Sequence, residues 1–204
     1  MNVGFYCKTE SYLELAALML ASVRKCMPTV NVHQLTDEHC AGLDGVDNVI
    51  RMKGNMPMAV QRMRHHASCI GEWLFIDADI IITKDVSDVF DEPFDIAVTD
   101  RVGTDMEGTK YGLAMPYNMG VTFSRSPAFW ISVCNVLAKM PPKLQEWCGD
   151  QMAVCELVKT WPNVKILPGA KYNYPPLSAD DNKTQEASIL HYKGNRKQLL
   201  MEVA

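Results

Sequence analysis

Trp73-Leu74-Phe75-Ile76-Asp77-Ala78-Asp79-Ile80-Ile81-Ile82 is the stretch on which the reading of this chain turns. Its first four residues are an apolar run of strand length, the pattern of a strand buried on both faces. Two carboxylates separated by Ala78 follow, and then three isoleucines. Carboxylates at the end of a buried strand are costly to desolvate unless something positive meets them. A solvated turn would account for Asp77 and Asp79 without further chemistry. The chemical alternative is a divalent metal held by hard oxygen ligands and shared with a phosphate group.

Outward from this stretch, strands and helices alternate. Residues 2–7 read as a first strand. Residues 11 to about 26 carry apolar side chains at helical spacing (Leu15, Leu18, Met19, Val23), and Pro28 marks the helix end. Residues 29–35 and 46–52 are short β-branched segments. Residues 57–70 are expected to form a helix bearing Arg62, Arg64, His65 and His66, leading into the strand 72–76. Beyond the Asp pair, 94–99 and 121–124 read as strands around a Gly- and Thr-containing loop, 101–116, expected to be mobile. Ser126-Pro127, an N-cap followed by proline at the first position, opens a helix over 128–140. A further helix is expected over 150–160 and a strand over 164–167. This alternation predicts an α/β sandwich with a mostly parallel central sheet and helices on both faces. In such sheets ligands collect at the carboxyl ends of strands, where Asp77 and Asp79 fall. No repeat or Gly/Ser linker divides the chain, so one domain over 1–204 is expected.

At 204 residues the chain is long enough for one sizeable core and short for two domains. With 48% apolar and 22% charged residues it has the make-up of an ordinary globular protein. Its net charge of −4 gives no general argument for a nucleic-acid partner. The seven cysteines (7, 26, 40, 69, 134, 148 and 155) are odd in number, scattered and without a Cys-x-x-Cys pair. That speaks against both a disulfide framework and a thiolate zinc site. The chain enters Val3-Gly4-Phe5-Tyr6 without a basic, apolar leader, and nothing approaches the ~18 apolar residues of a membrane span. The expectation is a cytoplasmic protein with reduced core thiols and no membrane segment.

A lone Asp-x-Asp is a weak motif, but further elements follow it in order. Tyr117-Asn118-Met119-Gly120-Val121 introduces a strand. Gly149-Asp150-Gln151 opens a helix. Leu167-Pro168, with Tyr172-Asn173 just after, follows the next strand. Ile189-Leu190-His191-Tyr192-Lys193-Gly194-Asn195-Arg196-Lys197 comes last. In these elements the chain resembles glycosyltransferase family 8, the glycogenin and lipopolysaccharide galactosyltransferase group, over about residues 3–197. That family shows an apolar strand into Asp-x-Asp, then Asn-x-Gly-Val, Asp-Gln, Leu-Pro with Tyr-Asn, and His-x-x-Gly-x-x-Lys. The resemblance implies a single GT-A (Rossmann-like) domain. It also implies a metal-dependent enzyme that moves a sugar from a nucleotide-sugar donor, a UDP-sugar in this group, with retention of anomeric configuration.

Roles follow from the same resemblance, residue by residue. Asp77, Asp79 and His191 become ligands of Mn²⁺ (or Mg²⁺), and an imidazole nitrogen suits such an ion beside carboxylates. Gly194 lets the backbone approach the diphosphate closely, and Lys197 brings a point charge to it. Lys8, Thr9 and Tyr12, where the chain leaves its first strand, hold the uracil and ribose; an aromatic ring and short polar groups suit a nucleobase. Lys8 departs from the small polar residues usual there. Arg62 (with Arg64 as competitor), Ala78, Asp100 and Asn118 fall to the donor, and Asp150 and Gln151 to catalysis.

The reaction so implied is departure of UDP from an anomeric carbon. A double displacement would need a nucleophilic carboxylate ~3 Å from that carbon. Gln151 is a poor nucleophile, although its amide oxygen can stabilise an oxocarbenium-like transition state, and Asp150 is the only obvious carboxylate beside it. Same-face substitution, with both residues shielding the cationic sugar, is the expected course. The family often follows its final Lys with Pro-Trp, where this chain has Gln198-Leu199-Leu200. The acceptor therefore stays open among glycan, lipid, protein, small molecule and nucleic-acid base. Two other readings compete. One is a non-catalytic nucleotide-sugar-binding protein of the same fold. The other is a haloacid-dehalogenase-type phosphatase, which also places Asp-x-Asp after an apolar strand, but near the N-terminus and continuing Gly-Thr. Asp180-Asp181 imitates the downstream acidic pair of that class, yet Pro175-Pro176-Leu177-Ser178 before it is no strand.

Overall fold

The computed structural model describes residues 1–101 and 110–203. The strands are β1 (Asn2–Tyr6), β2 (Asn31–Asp37), β3 (Asn48–Met52), β4 (Trp73–Ile76), β5 (Ile80–Ile82), β6 (Ile96–Asp100), β7 (Tyr117–Ser124), β8 (Val164–Leu167) and β9 (Ile189–His191). The helices are α1 (Leu13–Cys26), α2 (Met58–Ser68), α3 (Lys110–Ala114), α4 (Pro127–Leu137), α5 (Pro142–Glu146), α6 (Gly149–Val158), α7 (Gly169–Tyr172) and α8 (Lys197–Val203).

Among the described residues, seven strands form one sheet in the order β3-β2-β1-β4-β7-β6-β8. Pairing is parallel from β3 through β4 and again between β6 and β8. Of these seven, β7 alone runs against its neighbours β4 and β6. Its start, Tyr117-Asn118, therefore lies beside the carboxyl ends of β4 and β6, where the parallel strands also end. Asp77, one residue past β4, is at that same edge.

The sheet is covered on both faces, and β4 shows why its sequence is continuously apolar. Leu74 and Ile76 pack with Val3, Phe5 and Phe123 under α1, whose Ala16, Met19, Leu20 and Val23 recur at the spacing of one helical face. Trp73 and Phe75 point the other way, beneath Met63 of α2, Phe129 and Trp130 of α4 and Val154 of α6. Both faces being buried removes the alternation that a half-exposed strand would carry. Helix α4 starts as its sequence requires: Ser126 Oγ accepts a hydrogen bond from Phe129 N at 3.3 Å, with Pro127 at the first position.

Three features add to or differ from expectation. Ile80-Ile81-Ile82, to which the sequence reading assigned no element, is a separate strand, β5, paired antiparallel with β9 in a small second sheet: Ile80 faces His191 and Ile82 faces Ile189. Three-residue strands are too short for any periodicity to reveal. The strand expected over 121–124 reaches back to Tyr117, because the Asn-x-Gly segment joins the ladder through a register shift between Val98 and Thr99 of β6. The loop expected over 101–116 contains α3, and residues 102–109 of it lie outside the described residues. Among the described residues, no helix is long and apolar enough to cross a membrane.

Candidate metal centre and its cavity

The end of β4 and the small sheet together bring three ligand-type side chains into one place. Asp77 is anchored by its amide, which donates to Gly120 O at 2.9 Å; Asp79 O accepts from Tyr192 N at 2.9 Å, one residue beyond β9. His191 Nε2 consequently stands 3.3 Å from Asp79 Oδ1 and 3.6 Å from Asp77 Oδ2. One ligand atom from each of Asp77, Asp79 and His191 lies within 4.8 Å of the others. Lys197, at the start of α8, reaches Asp79 Oδ2 at 3.4 Å and Tyr12 Oη at 3.0 Å.

The charges around the two carboxylates are unequal. Burial pushes Asp79 up, but the hydrogen bond and charge of His191, with the charge of Lys197, outweigh it and hold its carboxyl at about 2. Burial also pushes Asp77 up, and there it prevails over the opposing charges of Arg62 and His191, although 34% of the side chain still meets the cavity. Arg62 is partly buried between two carboxylates. Its Nη1 donates to Asp77 Oδ1 at 3.1 Å and its Nε to Asp150 Oδ2 at 3.0 Å, with Nη2 on the same Asp150 oxygen. Burial disfavours the Arg62 charge, but Asp150 and Asp77 more than offset that and raise its pKa. Two carboxylate oxygens and an imidazole nitrogen, with Asp77 short of compensating charge, are a donor set that fits a divalent ion of the Mn²⁺ or Mg²⁺ kind.

These groups open on a cavity of about 760 Å³. No family model and no curated protein matches the sequence. Solved structures do match. Over 96% of this chain and 88% of the other, it is similar to the galactosyltransferase LgtC in complex with donor and acceptor sugar analogs (TM-score 0.67, 13% identity). The glycosyltransferase GlyE of Streptococcus pneumoniae matches over 95% of this chain and 54% of its own (TM-score 0.66, 15% identity). The bifunctional glycosyltransferase WbbM matches over 96% and 46% (TM-score 0.62, 12% identity). The chain has the GT-A fold.

Within this GT-A fold, the cavity gathers most of the residues that the sequence singled out. Tyr12, Arg62, Asn118, Asp150, Gln151, Gly194 and Lys197 line it together with Asp77, Asp79 and His191. Gln151 Oε1 accepts from Met119 N at 3.2 Å, a backbone donor that the β6–β7 register shift leaves free, and its Nε2 lies 3.1 Å from Met115 Sδ. Asp150 is buried, with Oδ1 on Gln151 N at 2.7 Å and Oδ2 on Arg62. Between the two arginine candidates, Arg62 is at the site and Arg64 is exposed on the other side of α2. Gly194 adopts φ +64, and nothing lies within 4 Å of where a Cβ would be.

Four expected donor residues are not among those lining the cavity. Ala78 is buried between the two aspartates. Lys8 Nζ reaches Met56 O at 3.3 Å, and Thr9 Oγ1 pairs with Ser11 Oγ at 3.1 Å, both beside Tyr12 in sequence but turned to local partners. Asp100 Oδ1 accepts from Gly169 N at 2.5 Å, which ties β6 to the start of α7. Of the acidic pair that the phosphatase reading would need, Asp181 accepts from Tyr174 Oη at 2.8 Å and from Leu177 N at 3.0 Å, closing a turn.

Sequence reasoning missed Asn173, although the Tyr-Asn pair after β8 was in view. Its Oδ1 lies 2.8 Å from His191 Nδ1, and its Nδ2 lies 2.6 Å from Thr99 Oγ1 and 3.1 Å from Asn118 Oδ1. It also missed Trp147, 65% exposed on the cavity rim between α5 and α6, for which no motif gave a signal.

Proposed function

We propose that this chain, as a single domain over 1–204, is a retaining glycosyltransferase of the family 8 kind that takes its sugar from a UDP-sugar with the help of Mn²⁺ (or Mg²⁺), in the cytoplasm. The observation that carries the reading is the Asp77–Asp79–His191 cluster with Lys197 beside it, opening on a cavity that also holds Gln151, in a GT-A fold. One of the similar proteins, LgtC, was solved with donor and acceptor sugar analogs. Asp77, Asp79 and His191 would hold the ion. When bound, the ion supplies neutralisation of the charge that develops on the departing diphosphate.

The protein groups do the rest. Lys197 can pass from Tyr12 and Asp79 to a phosphate, where its charge opposes that of the leaving group. Gly194 leaves the backbone open to close approach. The half-exposed ring of Tyr12 offers a stacking face for the uracil, with Lys8 and Thr9 near it in sequence. Among the described residues, Asp77, Asp79 and Asp150 are the carboxylates that line the cavity. The first two belong to the metal, and both oxygens of Asp150 are engaged by Arg62 and Gln151 N. A carboxylate so occupied is a poor nucleophile, which supports same-face substitution over a double displacement. Gln151 then presents its amide dipole to the sugar, and the Arg62–Asp150 pair fixes the local field. Asn118 borders the same space, and Asp100, exposed at the end of β6 with Oδ1 on Gly169 N, is assigned to the donor by the resemblance alone.

Calorimetric titration with UDP, in Mn²⁺ and in chelator, tests the reading. Binding in Mn²⁺ and none in chelator is expected, and equal affinity in both would sink it. Slow hydrolysis of a UDP-sugar in Mn²⁺ separates an enzyme from a protein that only binds the donor.

A further inference from the structure

His191 reaches the Asp77–Asp79 pair through one ring nitrogen, and the direction of the hydrogen bonds behind it decides which. The chain starts at a group whose role is not in doubt: the backbone N–H of Gly120 can only donate, and it does so to Asn118 Oδ1 at 2.8 Å. The Asn118 atom facing Asn173 is therefore an oxygen. Asn173 must present its amide nitrogen to it, at 3.1 Å, and to Thr99 Oγ1 at 2.6 Å, whose own hydroxyl proton goes to Asn118 O at 3.2 Å. This leaves Asn173 with its oxygen toward His191 Nδ1, 2.8 Å away. An amide oxygen only accepts, so Nδ1 carries the proton. Nε2 is the ring nitrogen with a lone pair to give, and it is the atom that faces Asp77 and Asp79.

The backbone holds this arrangement in register. His191 N donates to Tyr174 O at 2.8 Å and Tyr174 N to Ile189 O at 3.0 Å, so the segment carrying Asn173 is strapped along β9. Thr99, Asn118, Asn173 and His191 are all buried, so water does not compete for these bonds. Gly120 adds the last condition. A Cβ there would overlap His191 Cε1 and lie 2.5 Å from Nδ1, so the ring rests directly on the backbone of β7.

We infer that Asn173 is a positioning residue: it sets the proton and the orientation of His191 so that Nε2 enters the metal site, acting through His191 and not on the substrate. The inference rests on the metal reading given under Proposed function, but its test needs neither UDP nor turnover. Mn²⁺ affinity is measured by calorimetry on the full chain without nucleotide. Asn173→Ala should weaken Mn²⁺ about 10–100-fold, the usual effect of losing a partner behind a ligating histidine. In a His191→Ala background the same change should matter by no more than about twofold, because its route to the metal is gone. An unchanged affinity in Asn173→Ala, or a full additional loss in the double variant, overturns the inference. Should the alanine variant not fold, the wild type decides alone: pulsed electron paramagnetic resonance of the Mn²⁺ form, with histidine ¹⁵N-labelled at Nε2, should read directly bonded ¹⁵N, and ligation through Nδ1 overturns the inference. A chain that binds Mn²⁺ in this way but takes no UDP keeps the inference and sinks the proposed reaction; a chain that binds no Mn²⁺ sinks both.

Discussion

Asp77 and Asp79 have the same side chain and opposite problems. Asp79 faces His191 and Lys197, so its carboxyl, held at about 2, adds stability that is complete above the ordinary carboxylate range and lost as pH falls through about 2. Asp77 is raised by burial, so keeping it charged costs stability at neutral pH, and the cost disappears when it takes up a proton. A cation and a proton therefore compete at Asp77, and also for the Nε2 lone pair of His191. Mn²⁺ affinity is expected to fall with decreasing pH before Asp79 begins to titrate, and binding should release protons, which calorimetry in buffers of different ionisation enthalpy will count. Proton release that is absent across the acid range would mean that Asp77 and His191 are already free of protons before the ion binds. Gln151 poses a sharper question at this scale. If its amide only closes the gap between Met119 N and Met115, Gln151→Ala will lower stability slightly and leave UDP-sugar hydrolysis nearly normal. If it stabilises a cationic anomeric centre, hydrolysis should drop roughly 10²–10³-fold while UDP affinity barely moves. Loss of UDP binding in step with hydrolysis would remove it from catalysis.

At the scale of elements, β4, α1, α2 and α4 were legible because their signals are local: an unbroken apolar run, a helical apolar stripe, an N-cap with proline. The residues of the site were legible as a pattern of types and order, and the cavity does collect ten of them. What joins them was not legible. Strands β5 and β9 have three residues each, and the pairing that sets Ile80 against His191 spans more than a hundred positions of sequence. Asn173 could be seen as a motif but not as the partner of His191, because a hydrogen bond between residues 18 apart has no sequence period. Asp100 shows the converse: a residue named from the order of motifs that does not line the cavity and whose Oδ1 accepts from Gly169 N. Gly120 can now be explained by contact. Gly120→Ala should leave a folded sheet but displace the His191 ring, and Mn²⁺ binding should be lost with the far-ultraviolet circular dichroism preserved. A variant that binds Mn²⁺ normally would mean that β7 can bend away from the ring.

For the whole molecule, two apolar cores on opposite faces of one sheet are linked at its carboxyl edge by polar contacts: Arg62 of α2 to Asp77 and Asp150, and Lys197 of α8 to Tyr12 and Asp79. Ligands that bind there tie both layers together, and binding to the native state alone raises stability by about 2.7 kcal/mol at a hundredfold excess over Kd. UDP with Mn²⁺ should raise the unfolding midpoint, whereas UDP in chelator should not; equal shifts in both would remove the metal from the nucleotide site. The rim residue Trp147 has an optical consequence. Trp73 and Trp130 are already shielded in the core, and Trp161 is half-buried with its indole N–H on Asp95. Trp147 is the indole that water reaches freely, so it should dominate the red edge of the emission and most of the quenching by acrylamide. An occupant of the cavity that reaches the rim will shift that emission to the blue and protect it from quencher. A ligand held only at the Asp77–Asp79–His191 end will leave it untouched. The protein thus carries its own gauge of how far along the cavity each ligand extends, and candidate ligands can be ranked by light alone.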